Sequence, residues 1–367
     1  MSKRTLFILT GAAVVLILLA VFGQQRPSTT TAATTPLLPD LESRLNDITR
    51  LKLAKAGNEA IATLEKSDKG WTVAEKDGYP ADVTKIRAAL VALAQARIIE
   101  EKTANPDLYD RLGVRDISDD SATGIGLTYE ADGKPTTVIL GDSEGHDHRY
   151  IRRADDVQSY LIDQDPEIPD TAAKWVDPTI VDIDPARVQE VVITHKDGES
   201  VRIHKNAKQD KNFVIDNVPE GRELLYTGVA NTAASLLRDL RLQDVAQAET
   251  ADPAVTTVFR TFDGLVLTAS ATGEGEKNWV TFQASFDSEQ ASRYADANAK
   301  EDSPAVAASE DQENQERDGD AAEGKKIDAS SEAEELQQRL SGWRYQLASY
   351  QFEQLSRRME DLLKPKS

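Results

Sequence analysis

Seven residues of this chain bring together the side chains best suited to hold a metal ion. In "GDSEGHDHRY" (141–150), Asp142, Glu144, His146, Asp147 and His148 offer three carboxylates and two imidazoles. Two imidazoles with a carboxylate form a donor set that zinc or copper accepts. If His148 opens a strand, His146 and His148 project to the same face, because strand side chains alternate. The same residues also suit a solvated hairpin loop. Asp142, His146 and His148 are therefore the metal candidates, weighed against that plainer reading.

The remaining histidines, His195 and His204, fall in or near neighbouring strands of a second hairpin. They could face each other and respond to pH, or they could be two exposed polar positions. Arg50 and Arg187 each follow an aspartate by three residues, Asp47 and Asp184. A duplicated position of this kind points to a salt bridge at a strand start. No phosphate-binding loop, G-x-S-x-G elbow, H-E-x-x-H helix or dinucleotide turn occurs, so no catalytic residue and no cofactor is expected.

Composition narrows the classes further. The 367 residues include 63 acidic and 43 basic side chains, a net charge of −20. Nucleic acid is not an expected partner, because phosphate binding needs clustered Lys and Arg. There is no cysteine, which excludes disulfides, zinc–thiolate sites and a thiol nucleophile.

The start of the chain gives an address. "MSKR" precedes nineteen uncharged, mostly apolar residues at 5–23. A helix of that length reaches ~28 Å, about one bilayer core. Lys3 and Arg4 should stay in the cytoplasm. The expectation is a single-pass protein of the cytoplasmic (inner) membrane, contacting the bilayer through 5–23, with its body in the periplasm. A cleaved signal peptide is the other reading of this segment. Residues 24–40, rich in Thr, Ala and Pro, suit a solvated linker.

The elements that must carry these side chains read as two related halves. Alternating apolar residues (Leu51, Leu53, Ile61; Val191, Ile193, Val201, Ile203) and Gly-containing turns predict antiparallel strands in each. A helix is expected next in each half, over 79–98 with Asp82 as cap, and over 225–242 with Thr227 as cap. "NPDLYDRLGV" (105–114) predicts a short helix, with Asn105 capping, Pro106 first and Gly113 just past the end. Asp132-Gly133 and Asp263-Gly264 predict hairpin turns. The fold class expected is α+β: two tandem repeats of an antiparallel-sheet-plus-helix unit, after one N-terminal transmembrane helix.

One feature interrupts the second repeat. Residues 287–340 carry 16 acidic and 6 basic side chains, half of the net charge. That composition predicts an acidic disordered insertion, with a helix beginning only near 332–340. The aromatic "WRYQL" after it is expected to be the missing last strand, paired with 278–286, and 349–364 a closing helix. The boundaries that follow are anchor 1–23, linker 24–40, first repeat 41–178, second repeat 179–286 with 341–365, and insertion 287–340. Deleting 288–338 is expected to leave the fold intact.

The words "LPDLESRLNDITRLKL", "GWTVAEKDGYPAD", "KTANPDLYDRLGV" and "GWRYQL…LSRRMEDLL", after a basic start and one span, resemble the bacterial domain-of-unknown-function family forty-three forty. The resemblance covers nearly all of 37–286 and 341–364. Members are often encoded beside ABC-type transporters of the gliding-motility class. It therefore implies a non-enzymatic, membrane-anchored auxiliary or scaffold component. Its partners would be integral membrane proteins, ABC-type permease and ATPase subunits among them. It supplies no catalytic residue. The alternative is a periplasmic enzyme or ligand-binding protein acting on cell-wall glycan or peptide.

Overall fold

A computed structural model describes residues 35–272, 278–301 and 328–365. The chain is mixed α+β with mostly antiparallel sheets, and it divides into two compact units. Unit 1 takes in 35–48, 53–60 and 87–168; unit 2 takes in 49–52, 61–86 and 169–365. These limits differ from the expected repeat boundaries, since 61–86 and 169–178 group with the second unit. No helix among the described residues is long and apolar enough to cross a membrane; the expected anchor at 5–23 lies outside them.

In unit 1, six strands pair antiparallel in the order Thr35–Pro36, Arg97–Glu101, Ser159–Ile162, His148–Arg153, Lys134–Glu144 and Ile125–Ala131. Their inward residues, among them Leu127, Val138, Leu140, Ile151 and Ile162, form the core. The Asp132-Gly133 turn closes its hairpin with both residues at positive φ, 51° and 70°. That is the backbone a tight two-residue hairpin needs, and Asp and Gly tolerate it. The short helix Pro106–Leu112 is of the 3-10 type. Asn105 caps it by accepting the Asp107 N–H at 3.1 Å, and Gly113 ends it at φ 66°. The expected linker 24–40 is corrected at its end. Thr35 and Pro36 pair with Ile98 and Arg97, and Leu37 and Leu38 are buried. Two consecutive leucines gain more from burial than a solvated spacer would allow.

Unit 2 holds a meander and an eight-stranded sheet. In the meander, Glu59–Ser67 pairs with Gly70–Val73, which pairs with Tyr79–Pro80. The sheet runs Val214–Ile215, Ser200–His204, Val188–His195, Val255–Thr261, Leu265–Thr272, Trp279–Phe286, Trp343–Gln346 and Asp244–Gln247, antiparallel throughout. The aromatic strand after the acidic stretch thus pairs where the alternation places it. Trp279 faces Gln346, Val280 faces Tyr345 and Thr281 faces Arg344. Asp82 caps the helix Val83–Gln95, accepting the N–H groups of Thr84 and Lys85 at 3.0 and 3.2 Å.

Three sequence expectations are corrected in unit 2. Residues 287–340 are not disordered at their ends, because Ser288–Glu301 and Ala329–Leu340 are helices; 302–327 lie outside the described residues. Ala329, Ala333, Leu336 and Leu340 recur at helical spacing and are buried, and this stripe overrides the polar composition. The helix expected over 225–242 shrinks to Asn231–Ser235, uncapped by Thr227. Gly228 and Asp239 take positive φ on either side, and Leu240–Arg241 pairs instead with Thr179–Val181. The closing helix stops at Leu355, and a separate 3-10 turn follows at Met359–Leu362.

Candidate functional site

The metal candidates do not converge. His148 begins its strand and stands opposite Glu144, but His146 lies in the turn outside it. Glu144 accepts the Tyr150 hydroxyl at 2.8 Å. Asp142 sits where the ladder shifts register between Leu140 and Ser143, against the backbone of Gly113. Among the described residues, no group of three or more His, Asp or Glu is placed to hold a metal ion. The loop is ordered instead by Arg149, which donates to Asp165 at 2.5 Å and to Ser143 at 3.1 Å.

His195 and His204 are not neighbours. The hairpin register places His204 opposite Glu190, while His195 is at the far end beside the turn. Nor is His195 an exposed position. It is 6% exposed, and its Nε2 lies 3.3 Å from the Arg357 carbonyl oxygen. Arg187 forms the structural salt bridge expected of it, although its partners are Asp263 and Glu332 rather than Asp184. Asp184 pairs with Arg238. Among the described residues, Arg50 makes only an exposed pair, with Glu65 at 3.2 Å.

A different constellation lies on the outward face of the large sheet. Residues 201 and 203 point into the core, so period-two alternation turns Arg202 and His204 outward. Glu190 on the adjacent strand faces His204 on one side and Arg260 on the other. Its carboxylate accepts from Arg202 Nε at 2.5 Å and from Arg260 Nη1 at 2.8 Å. Arg202 also donates Nη1 to Asp216 at 2.6 Å. These carboxylates hold the Arg202 guanidinium above its usual range, Asp216 contributing most. His204 Nδ1 is buried and 3.5 Å from Asp216 Oδ1, without a hydrogen bond.

The helix Ser288–Glu301 supplies a wall. Asp287 caps it by accepting the Gln290 N–H at 3.0 Å. Gln290 reaches across to the Gln189 side chain, and the Tyr294 ring packs on Phe262 with centroids 5.3 Å apart. Together the sheet face and the helix start enclose a cleft of about 600 Å³. Lys205 lines it too. Only 8% of this lysine is exposed, and its ammonium lies 4.8 Å from the centre of the Phe213 ring. A polar, charged cleft of this size can bind a small ligand.

Sequence reading missed Arg202, Lys205, Arg260 and Glu190. The available signal was the polar phase of three alternating strands, which on its own looks like any solvated sheet face.

No curated protein and no solved structure matches this chain. One family does, over residues 71–257, a stretch that includes Glu190, Arg202, His204 and Lys205 but ends before Arg260 and the helix wall. That match spans about half of the sequence, narrower than the resemblance seen in its motifs, and the chain belongs to the family described as Domain of unknown function (DUF4340).

Proposed function

We propose that the protein is a non-enzymatic envelope component, held at the cytoplasmic membrane by residues 5–23, that works through protein–protein contacts as an auxiliary or scaffold subunit of an ABC-type transport system. The observation that carries this reading is the order of its parts in a chain of this family. A short basic start and nineteen uncharged, mostly apolar residues precede two α+β units. Such a span is long enough to cross a bilayer, and the basic start orients the body outward. Short terminal strands of the large sheet, Val214–Ile215 and Asp244–Gln247, offer edges to which a partner strand could add. The recurring Asp-Gly hairpins and the Asp-x-x-Arg spacing shared by Arg50 and Arg187 also support descent of the body from a duplicated unit.

Affinity purification of the intact chain from native membranes in mild detergent tests the reading. Permease and ATPase subunits should co-purify. Recovery of the chain alone would refute it. A second reading, a periplasmic ligand-binding protein, is favoured by the polar cleft over the large sheet.

A further inference from the structure

We propose that this cleft binds a small, hydrophilic phosphorylated molecule, its phosphate held by Lys205, Arg260 and Arg202. The inference deepens the ligand-binding reading and does not depend on a transport partner.

Lys205 is the first argument. A lysine whose stem is nine-tenths buried holds its ammonium in one place, and such a fixed cation normally meets a carboxylate. Lys205 has no ion-pair partner among the described residues, only the Phe213 ring. The chain has 63 acidic side chains, so the missing partner does not reflect a shortage of carboxylates. The stem is packed and the charged end is left for something else.

The arginines are the second argument. Glu190 is shared between Arg202 and Arg260, so it orients both without saturating either. Arg260 Nε and Nη2, and Arg202 Nη2, have no hydrogen-bond partner among the described residues. Guanidinium edges held in place this way suit phosphate oxygens.

The lining completes the case. The ten described side chains that line the cleft are all polar or charged: four are Arg or Lys, one is His204 and two are acidic. That excess of positive charge sits in a chain of net charge −20. A volume of about 600 Å³ exceeds what a bare phosphate fills and falls in the range of small-molecule sites. The amides of Gln189 and Asn206 suit hydroxyl groups on the remainder of the ligand. A soluble sugar phosphate and the phosphorylated headgroup of a lipid share this chemistry.

The test uses the full chain in phosphatidylcholine nanodiscs, titrated with glucose 1-phosphate, with glucose, and in parallel discs containing phosphatidylglycerol. Hydrogen exchange at 200–206 reports occupancy. For a soluble ligand, glucose 1-phosphate should bind and protect this strand while glucose does not. For a headgroup, protection should appear only with phosphatidylglycerol. In either case K205M and R260Q should each weaken binding by about tenfold or more. The melting temperature of K205M should be unchanged or higher, since the packed stem is replaced by an apolar side chain and no ion pair is lost. No protection by either probe at about 10 mM, equal binding of glucose, or wild-type binding by both variants would overturn the proposal.

Discussion

Arg187 and Glu332 meet as a two-pronged ion pair, Nη1 to Oε1 at 3.0 Å and Nη2 to Oε2 at 2.6 Å, although 145 residues separate them. The arginine precedes the strand Val188–His195, and the glutamate belongs to the helix Ala329–Leu340. Asp263 takes the remaining Nε at 2.9 Å. The two carboxylates raise the Arg187 guanidinium well above its ordinary value, Glu332 contributing most. Charge-assisted hydrogen bonds in this partly buried setting are each worth more than a surface pair. R187A should therefore cost about 2 kcal/mol. Urea denaturation of R187A, E332A and the double variant would measure it. Additive single effects, with no coupling, would contradict the pairing.

Gly264 turns the hairpin beside the helix wall. Its φ is +92°, and a Cβ there would come 2.6 Å from the Asp287 carbonyl oxygen and 2.9 Å from the Phe286 ring. The Asp287 N–H also donates to the Gly264 carbonyl at 2.8 Å. G264A then combines left-handed backbone strain with a clash against backbone that cannot rotate away. A loss of about 2 kcal/mol is expected. Faster hydrogen exchange at 287–294 should accompany it. Unchanged exchange there would show that the turn does not position the helix.

Much of this was legible residue by residue. The Asp132-Gly133 hairpin, the Asn105 and Asp82 caps, and the strand character of Trp343–Gln346 follow from local chemistry that needs no tertiary information. The helix Ala329–Leu340 shows where that stops. Its buried stripe is present in the sequence, but five of its first seven residues are acidic or serine and composition pointed the other way. Residues 225–242 fail in the opposite sense. Helical spacing is there, yet Leu240 finds a strand partner at Val181 and the chain bends at Gly228 and Asp239. The cleft was not legible because Arg260 lies on a different strand from Arg202 and Lys205, which sit on and just past Ser200–His204. Only the strand order brings them to one face, and only the docked helix makes that face concave.

The C-terminal segment should loosen in acid. Glu199 accepts the Met359 N–H at 2.9 Å and also pairs with Arg358; Asp197 accepts the Glu199 N–H at 3.1 Å and pairs with Arg358 at 2.8 Å. Backbone N–H groups first, and Arg358 second, hold both carboxyls below their ordinary values. A carboxyl depressed in the folded state stabilises it above the unfolded value, and that contribution is lost as pH falls through the folded value. Protection of the Met359 amide should thus be constant above about pH 5 and decline below about pH 4. E199Q should remove most of that dependence. Parallel declines in E199Q and wild type would place the titration elsewhere.

Removing 288–338 provides the strongest test of the acidic stretch, and the structure reverses the expectation drawn from composition. The deletion takes away Glu332, leaving Arg187 with Asp263 alone. It takes away Gln337, whose Oε1 accepts the Ala284 N–H at 2.8 Å. It also strips the buried Ala333 and Leu336. Loss of a single buried leucine side chain costs about 2–5 kcal/mol. The lost polar contacts add to that, so the deletion should remove most of a stability that in single domains is only about 5–15 kcal/mol. The strand Trp343–Gln346 would keep its ladder partners but lose the neighbouring helix. A sharply lower urea midpoint, with increased binding of a hydrophobic dye, is the expected result. A deletion variant as stable as the full chain would mean that the helix Ala329–Leu340 only decorates the sheet.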